Sequence, residues 1–314
     1  MKTAGNEQVR DLLMKKSGRA VSFLAGELLK IGVGDRIPTF SQLAERRDFS
    51  RGTLQNAMAA LEQLGAASLE KHGHMGTLLV GKNTDLLLDC AGVNYVSGTM
   101  PLPYTKCYEG LATGLFNTIS ERSRMSVDIA YMRGSEKRIQ AVMAGRYDFA
   151  VTSRLSAHKA LERGMEIELL RDFGPESYLK GQSLIFRDRE ATEITPGMRV
   201  GVDDTSLDHM ELTYDVIGDT PVTLVHINYS QIFTLLERGE IDAAVWNLDT
   251  VLEHRPNINY KKLNLSHGND ENTAVLVVSA RRAAIRAVLN EYLDVDAILE
   301  QQRQVIAHER YPNY

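Results

Sequence analysis

Residues 144–154 read AGRYDFAVTSR, and residues 238–248 read RGEIDAAVWNL. Gly145, Asp148, Ala150 and Val151 of the first stretch recur as Gly239, Asp242, Ala244 and Val245 of the second, at a constant offset of 94. An amphipathic run precedes each copy, with Ile139, Val142 and Met143 in one and Ile232, Leu235 and Leu236 in the other spaced to share a helix face. Gly145 and Gly239 suit the left-handed residue that ends a helix. The apolar runs after the turn, 149–151 and 243–246, read as strands buried on both faces of a parallel sheet. The chain thus uses one αβ step twice, and each strand ends in an abrupt polar tip.

Strand and helix patterns alternate around these copies from about residue 90. A run at 92–96 leads into SGTMPLPYTKCYEGLATGL, where Pro101 and Pro103 hold an extended turn before a helix carrying Leu111, Leu115 and Ile119. VDIAYM (127–132) reads as a strand, SYLKGQSLIFR (177–187) as a crossing strand, and MRVGVDDTS (198–206) as a strand and a helix start. PVTLVHIN, the second copy and NTAVLVVSA (272–280) complete a second lobe, followed by terminal helices. Two α/β lobes with paired crossings make a clamshell over residues 90–314, a layout that resembles the type II periplasmic-binding-protein fold.

Open α/β sheets bind ligands outside the carboxyl ends of their strands, so both polar tips are expected to line an interlobe cleft. Thr152, Ser153 and Arg154 would face the ligand from one lobe, and Trp246, Asn247 and Asp249 from the other. Tyr104 and Ser206 join them because each stands near a helix N-terminus, whose free N–H groups suit an anion. Arg154 holds a carboxylate or phosphate through two parallel bonds, so the expected effector is a small anionic metabolite. Competing roles stand beside three of these: Arg154 as the partner of a neighbouring carboxylate, Trp246 as core, Tyr104 as packing on the proline turn. Asp203, Asp204, Asp208, His209 and Glu211 raise a metal site, but acids also gather at helix N-termini to complement the dipole. No metal and no cofactor is expected.

Toward the N-terminus, AVSFLAGELLKI (20–31) places Val21, Leu24, Ala25, Leu28 and Leu29 at helical spacing and stops at Gly32 and Gly34. Thr39 with Gln42 fits a capping box opening a short helix with Leu43 and Ala44 on its apolar face. Ser50 caps a third helix, RGTLQNAMAALEQL, whose Leu54, Ala57, Met58, Leu61 and Leu64 form a buried stripe closed by Gly65. Runs at 66–69 and 77–80, separated by EKHGHMG, make a hairpin with a basic, glycine-rich tip. This order is that of a winged helix-turn-helix, whose third helix enters the major groove. Arg51, Thr53, Gln55 and Asn56 lie off the apolar stripe, where Arg suits guanine or phosphate and Gln or Asn suits adenine. Gly52 lets the backbone approach the duplex, the helix start at Ser50 favours a phosphate, and His72 and His74 follow the wing.

Charge agrees with that division. Residues 1–82 hold 12 Lys+Arg against 8 Asp+Glu, whereas the remainder stands at −9, so only the first part is suited to a polyanion. A composition of 43% apolar and 25% charged residues is ordinary for a globular protein of roughly two domains, here 1–82 and 90–314. No run of about 18 apolar residues exists to span a bilayer, and Arg10, Asp11, Lys15, Lys16 and Arg19 stand where a secretory core would be apolar. A cytoplasmic protein without membrane contact is expected. Cys90 and Cys107 are too few for a disulfide framework and read as free thiols.

GDRIPTFSQLAERRDFSRGTLQNAMAALEQLG followed by KHGHMGTLLV resembles the DNA-binding domain of the GntR family of bacterial repressors. The proline, the Ser-Arg opening of the third helix, its Leu-x-x-x-Gly end and the His-Gly wing carry the likeness. It implies that Arg51, Thr53, His72 and Gly73 touch DNA, while Ser41 and Gln55 depart from the charged residue and the Arg usual at their positions. MPLPYTKCYEGLATGL, AYMRG, DFAVTSRLSA and the Gln-Gln-Arg run at 301–303 are similar to YhfZ-type proteins, over nearly the full length. That resemblance implies a GntR-like helix-turn-helix fused to a binding-protein-like effector domain.

The leading expectation is a ligand-responsive transcription factor that binds double-stranded DNA as a homodimer, since helix-turn-helix dimers read half-sites about one helical turn apart. One rival is a constitutive DNA-binding protein whose larger domain only dimerises, told apart by ligand occupancy. The other is an enzyme using the cleft. The chain holds no nucleophile elbow, P-loop or dinucleotide glycine pattern, so a non-enzyme is expected.

Overall fold

The structure, a computed structural model, describes residues 15–73, 76–254, 257–263 and 269–314. His74 lies outside the described residues. By its internal contacts the chain divides into two compact units: one runs up to Val96 and takes in Ile119–Val127 and Arg282–Leu293, and the other holds Ser97–Thr118, Asp128–Arg281 and Asp294–Tyr314.

The first unit begins with α1 (Lys16–Leu29), which buries Leu24, Ala25, Leu28 and Leu29 of the expected stripe together with Ala20, while Val21, expected in it, is only half-buried. α2 (Phe40–Arg46) opens in the expected capping box: the Thr39 hydroxyl accepts from the Gln42 amide while Gln42 Oε1 accepts from the Thr39 amide. Glu27 of α1 pairs with Arg46 of α2 and fixes the two helices to each other. Ser50 Oγ accepts from the Thr53 amide at 3.1 Å to start α3 (Arg51–Gln63). Leu54, Ala57, Met58 and Leu61 are buried, but Leu64, expected in the same stripe, is 59% exposed. The helix ends at Gln63 and the left-handed Gly65 (φ 73°) turns the chain, which carries Leu64 off the core face. β1 (Ala67–Lys71) and β2 (Thr77–Lys82) form the antiparallel wing. Residues 34–37 run antiparallel along β2 through an isolated bridge of Arg36 to Leu78, with Ile37 N–H donating to Thr77 O and Leu79 N–H to Asp35 O. α4 (Thr84–Ala91), a helix the sequence reading lacks, packs against α1. It is tied to the helix Ala283–Tyr292 by Thr84 Oγ1 to Glu291 and by Tyr292 OH to Asp85, both at 2.6 Å.

The elements that follow are β3 (Tyr95–Met100), α5 (Lys106–Arg122), β4 (Ser126–Tyr131), α6 (Ser135–Met143), β5 (Phe149–Ser153), α7 (Arg154–Glu162), β6 (Ile167–Asp172) and β7 (Gln182–Phe186). Then come β8 (Arg199–Val202), α8 (Leu207–Ile217), β9 (Thr223–His226), α9 (Ile232–Glu237), β10 (Ala243–Asn247) and α10 (Leu248–His254). The chain finishes with β11 (Asn259–Lys262), β12 (Ala274–Ser279), α11 (Ala283–Tyr292) and α12 (Val295–Ile306). Two five-stranded sheets result, in the orders β4-β3-β5-β12-β6 and β11-β7-β10-β8-β9.

The duplicated step occupies equivalent places in both. β5 and β10 are the third strands, each preceded by a helix and a left-handed glycine, Gly145 at φ 69° and Gly239 at φ 67°. The acid three residues on pins the register to the parallel neighbour: Asp148 Oδ2 accepts from Ser97 N–H at 2.8 Å and Asp242 Oδ2 from Arg199 N–H at 2.9 Å. Their own amides donate back to Ser97 O and Arg199 O, both at 2.7 Å. Two expectations need correction. Both sheets are mixed rather than parallel, because β5 and β10 each have one parallel and one antiparallel neighbour. The segment NTAVLVVSA does not complete the second lobe: β12 lies in the first sheet, antiparallel to both β5 and β6, where all its residues are buried. The first lobe's core is built from Ile139, Val142, Ala150, Ala157, Val275 and Val277, and the second's from Ile185, Ile232, Leu236, Ala244, Trp246 and Val251.

Candidate functional site

A cavity of about 80 Å³ lies between the two lobes of the second unit. Tyr104, Ser206, Trp246 and Asn247 of the expected ligand set line it, together with Arg133, Ser135, Arg138, Asp208 and Tyr229. The other four expected residues do not. Arg154 is held by two carboxylates, Nε to Asp270 at 2.8 Å and Nη1 to Asp172 at 3.0 Å, so the competing role as an ion-pair partner is the one it takes. Ser153 Oγ accepts from the Ser156 amide, capping α7, and Asn247 Oδ1 accepts from the Thr250 amide in the same way at the start of α10. The polar tips are therefore helix caps first. Thr152 is fully buried within β5, and Asp249 Oδ2 accepts from the Lys180 amide away from the cavity.

Several contacts cross from one lobe to the other beside the cavity. Arg133, after β4, pairs with Asp203, after β8. Asp208 in the first turn of α8 accepts from two hydroxyls of the opposite lobe, Ser153 Oγ at 2.6 Å and Ser156 Oγ at 2.9 Å. Burial pushes the Asp208 carboxyl up to about 6, even though both serines favour its charged form. Asp203 also feels burial, but hydrogen bonds from Thr205 and from the Tyr229 amide, with Arg133 alongside, outweigh it and hold its carboxyl below the usual range. Burial lowers His209 and keeps it neutral. Its Nε2 lies 3.0 Å from Val245 O while Nδ1 faces the Asp203 amide, which fixes the proton on Nε2.

Trp246 stands in an aromatic wall with Tyr229 at 4.9 Å, Phe233 at 5.2 Å and Tyr104 at 6.2 Å between ring centroids. Its Nε1 is buried without a partner, as are Ser135 Oγ and Arg133 Nε. Arg138 is 3% exposed and donates to Val151 O, Met132 O and Tyr178 OH, all neutral acceptors. The acids that raised a metal site are otherwise engaged: Asp204 with His226 at 2.8 Å and Glu211 with Lys159 at 3.7 Å. Among the described residues no group of three or more His, Cys, Asp or Glu is arranged to hold a metal ion.

On the first unit, Arg51, Gly52, Gln55 and Asn56 are exposed along one side of α3, with Thr53 half-buried beside them and Ser50 at its start. Ser41 is half-buried in the first turn of α2. His72 sits at the wing tip against Glu70 at 3.2 Å, and Gly73 adopts a left-handed φ of 52° to turn it.

A model described as the YhfZ C-terminal domain matches residues 83–314, and one described as a helix-turn-helix domain matches residues 32–79. The chain belongs to the YhfZ family. The Escherichia coli K12 YhfZ protein is 31% identical over 313 residues, 98% of this chain and 100% of that one. The crystal structure of Shigella flexneri YhfZ is similar at 29% identity with a TM-score of 0.60, covering 73% of this chain and 97% of that chain. The periplasmic aliphatic sulphonate binding protein SsuA of Escherichia coli shares the fold at 10% identity and a TM-score of 0.51, over 68% of this chain and 74% of its own. This YhfZ-family chain therefore joins a helix-turn-helix domain to a two-lobed domain of the binding-protein fold. Among the described residues no helix is long and apolar enough to cross a membrane.

Sequence reasoning missed Arg133, Ser135 and Arg138, which line the cavity of this YhfZ-family protein. The signal was present in AYMRG: Arg133 and Gly134 follow the carboxyl end of β4, the location that singled out 152–154 after β5. Arg138 lies one turn into α6, and one of its acceptors, Tyr178, stands 40 residues away in the sequence.

Proposed function

We propose that the protein is a ligand-responsive transcriptional regulator of the GntR-like type, with residues 1–82 binding operator DNA and residues 90–314 binding a small effector. The observation that carries this reading is the pairing of a helix-turn-helix domain with two lobes latched over a cavity whose wall holds unpartnered polar groups. Arg51, Gly52, Thr53, Gln55 and Asn56 meet the major groove and its phosphates. Ser41, Ser50, His72 and Gly73 contact the flanking backbone. The effector changes the balance between latched and open lobes, and a cytoplasmic homodimer converts that change into the placement of two recognition helices. The cleft binds rather than catalyses.

Selection of bound fragments from genomic DNA with the full-length protein is the direct test. Affinity for the selected fragments should fall steeply with salt, because phosphate contacts release counterions. Arg51→Ala should weaken binding to every sequence and flatten the salt slope by about one unit, whereas Gln55→Ala should relax sequence preference at a cost of roughly 1–3 kcal/mol. Unchanged binding in both variants would remove α3 as the recognition helix. A constitutive DNA-binding protein would give the same salt dependence with no small molecule bound in the cleft.

A further inference from the structure

We propose that the interlobe cavity takes a compact oxyanion, a carboxylate or a phosphate- or sulfate-type group, received by Trp246 Nε1, Ser135 Oγ and the guanidinium groups of Arg133 and Arg138. This rests on the effector-cleft reading above and names the chemistry of that cleft. Three buried polar atoms on the described lining residues lack a partner, Arg133 Nε, Ser135 Oγ and Trp246 Nε1, and each carries a hydrogen to donate. Trp246 is 5% exposed and Ser135 4%, so the groups that can meet their donors are those that enter the cavity. A ligand that completes this wall brings acceptors.

Charge leaves room for an anion. The lining residues include two guanidinium groups, Arg133, which pairs with Asp203, and Arg138, against a single acid, Asp208, both of whose oxygens are already taken by Ser153 and Ser156. Arg138 donates only to neutral acceptors and feels Asp208 at longer range, so no carboxylate occupies its hydrogen-bonding face and an entering anion adds to its partners. Gly134 and Ser135 place the start of α6 on the cavity wall, and this nine-residue helix has no side-chain cap, so its first amides add to the donor set. About 80 Å³ is well below the several hundred of a site that encloses a drug-sized molecule, which restricts the enclosed part of the ligand to a small head group.

Trp246 is the chain's one tryptophan, so its emission reports on this wall alone. The experiment titrates the full-length protein with inorganic phosphate, sulfate, acetate and succinate, and in parallel with choline and glycerol, at constant ionic strength. Saturable change with at least one anion is expected, and the four anions separate a tetrahedral from a planar head group. If none of the six acts, an extract of cellular small molecules divided on an anion exchanger replaces them, with activity expected in the retained fraction. Ser135→Ala, which removes a hydroxyl that bonds nothing in the protein, should leave thermal stability unchanged. It should weaken the active anion at least about tenfold, the loss of one hydrogen bond to a charged group. Response only to choline, glycerol or the unretained fraction would overturn the oxyanion and leave the effector cleft standing. Equal anion affinity in Ser135→Ala and Arg133→Gln would overturn this placement of the donors. No response to any probe or fraction would overturn the oxyanion and the effector cleft together.

Discussion

Asp208 is a half-buried carboxylate between two lobes, accepting from Ser153 and Ser156, with Arg138 favouring its charge and Glu271 opposing it. Its folded pKa of about 6 lies above the ordinary 3.8, so the folded protein binds this proton more tightly than the unfolded chain does. The resulting stabilisation is complete below the ordinary value and is lost as pH rises through about 6. Asp208→Asn, isosteric with the protonated acid, should therefore exceed the wild type in stability above pH 6 by on the order of 3 kcal/mol, with the gap closing toward pH 4. Denaturant melts of both proteins at the two ends of that range check this, and a gap that widens as pH falls would contradict it. The same carboxylate repels an anion, so affinity for the active oxyanion should strengthen as pH falls from 8 toward 6 in the wild type and change less in the Asn variant.

Between α5 and α12 the packing leaves no room for side chains at two glycines. A Cβ on Gly114 would stand 2.5 Å from Ile298 O and one on Gly110 2.8 Å from the Gln302 backbone. Gln302 is thereby close enough for its Nε2 to donate to Cys107 O at 2.9 Å and Ser177 O at 2.7 Å, which accounts for a buried glutamine in the Gln-Gln-Arg run. Gly114→Val should destabilise the second unit by more than the roughly 1–3 kcal/mol of ordinary overpacking, because the obstacle is backbone, and should lower the thermal midpoint accordingly. The helices, caps and repeated αβ step of this chain were legible because each is written in residues a few positions apart: Thr39 with Gln42, Ser50 with Thr53, Gly145 with Asp148. The place of β12 was not. A strand buried throughout, AVLVVS, has no polar face to choose a partner, and its position between β5 and β6 is decided by chain segments more than 100 residues earlier. For the same reason the cleft's location was legible from strand ends, while the choice between Arg154 and Arg138 as the cavity's cation was not: Asp172 and Asp270 claim the first and no carboxylate bonds the second.

Both domains matter to the function only if they are coupled. Arg133–Asp203 and Asp208 with its two serines form a latch whose halves lie on different lobes, so a ligand that favours the latched arrangement shifts the protein toward it by its differential affinity for the two states. If the DNA-bound and free forms of the protein differ in that arrangement, effector and DNA must alter each other's affinity by the same factor. The deciding measurement is the affinity of the full-length protein for its genome-selected fragment, with and without a saturating amount of the compound that moves Trp246 emission. The predicted result is a change of about fivefold or more, matched by an equal change in the compound's affinity when DNA is present. Identical DNA affinity with the cleft full and empty would contradict the account and leave a constitutive DNA-binding protein.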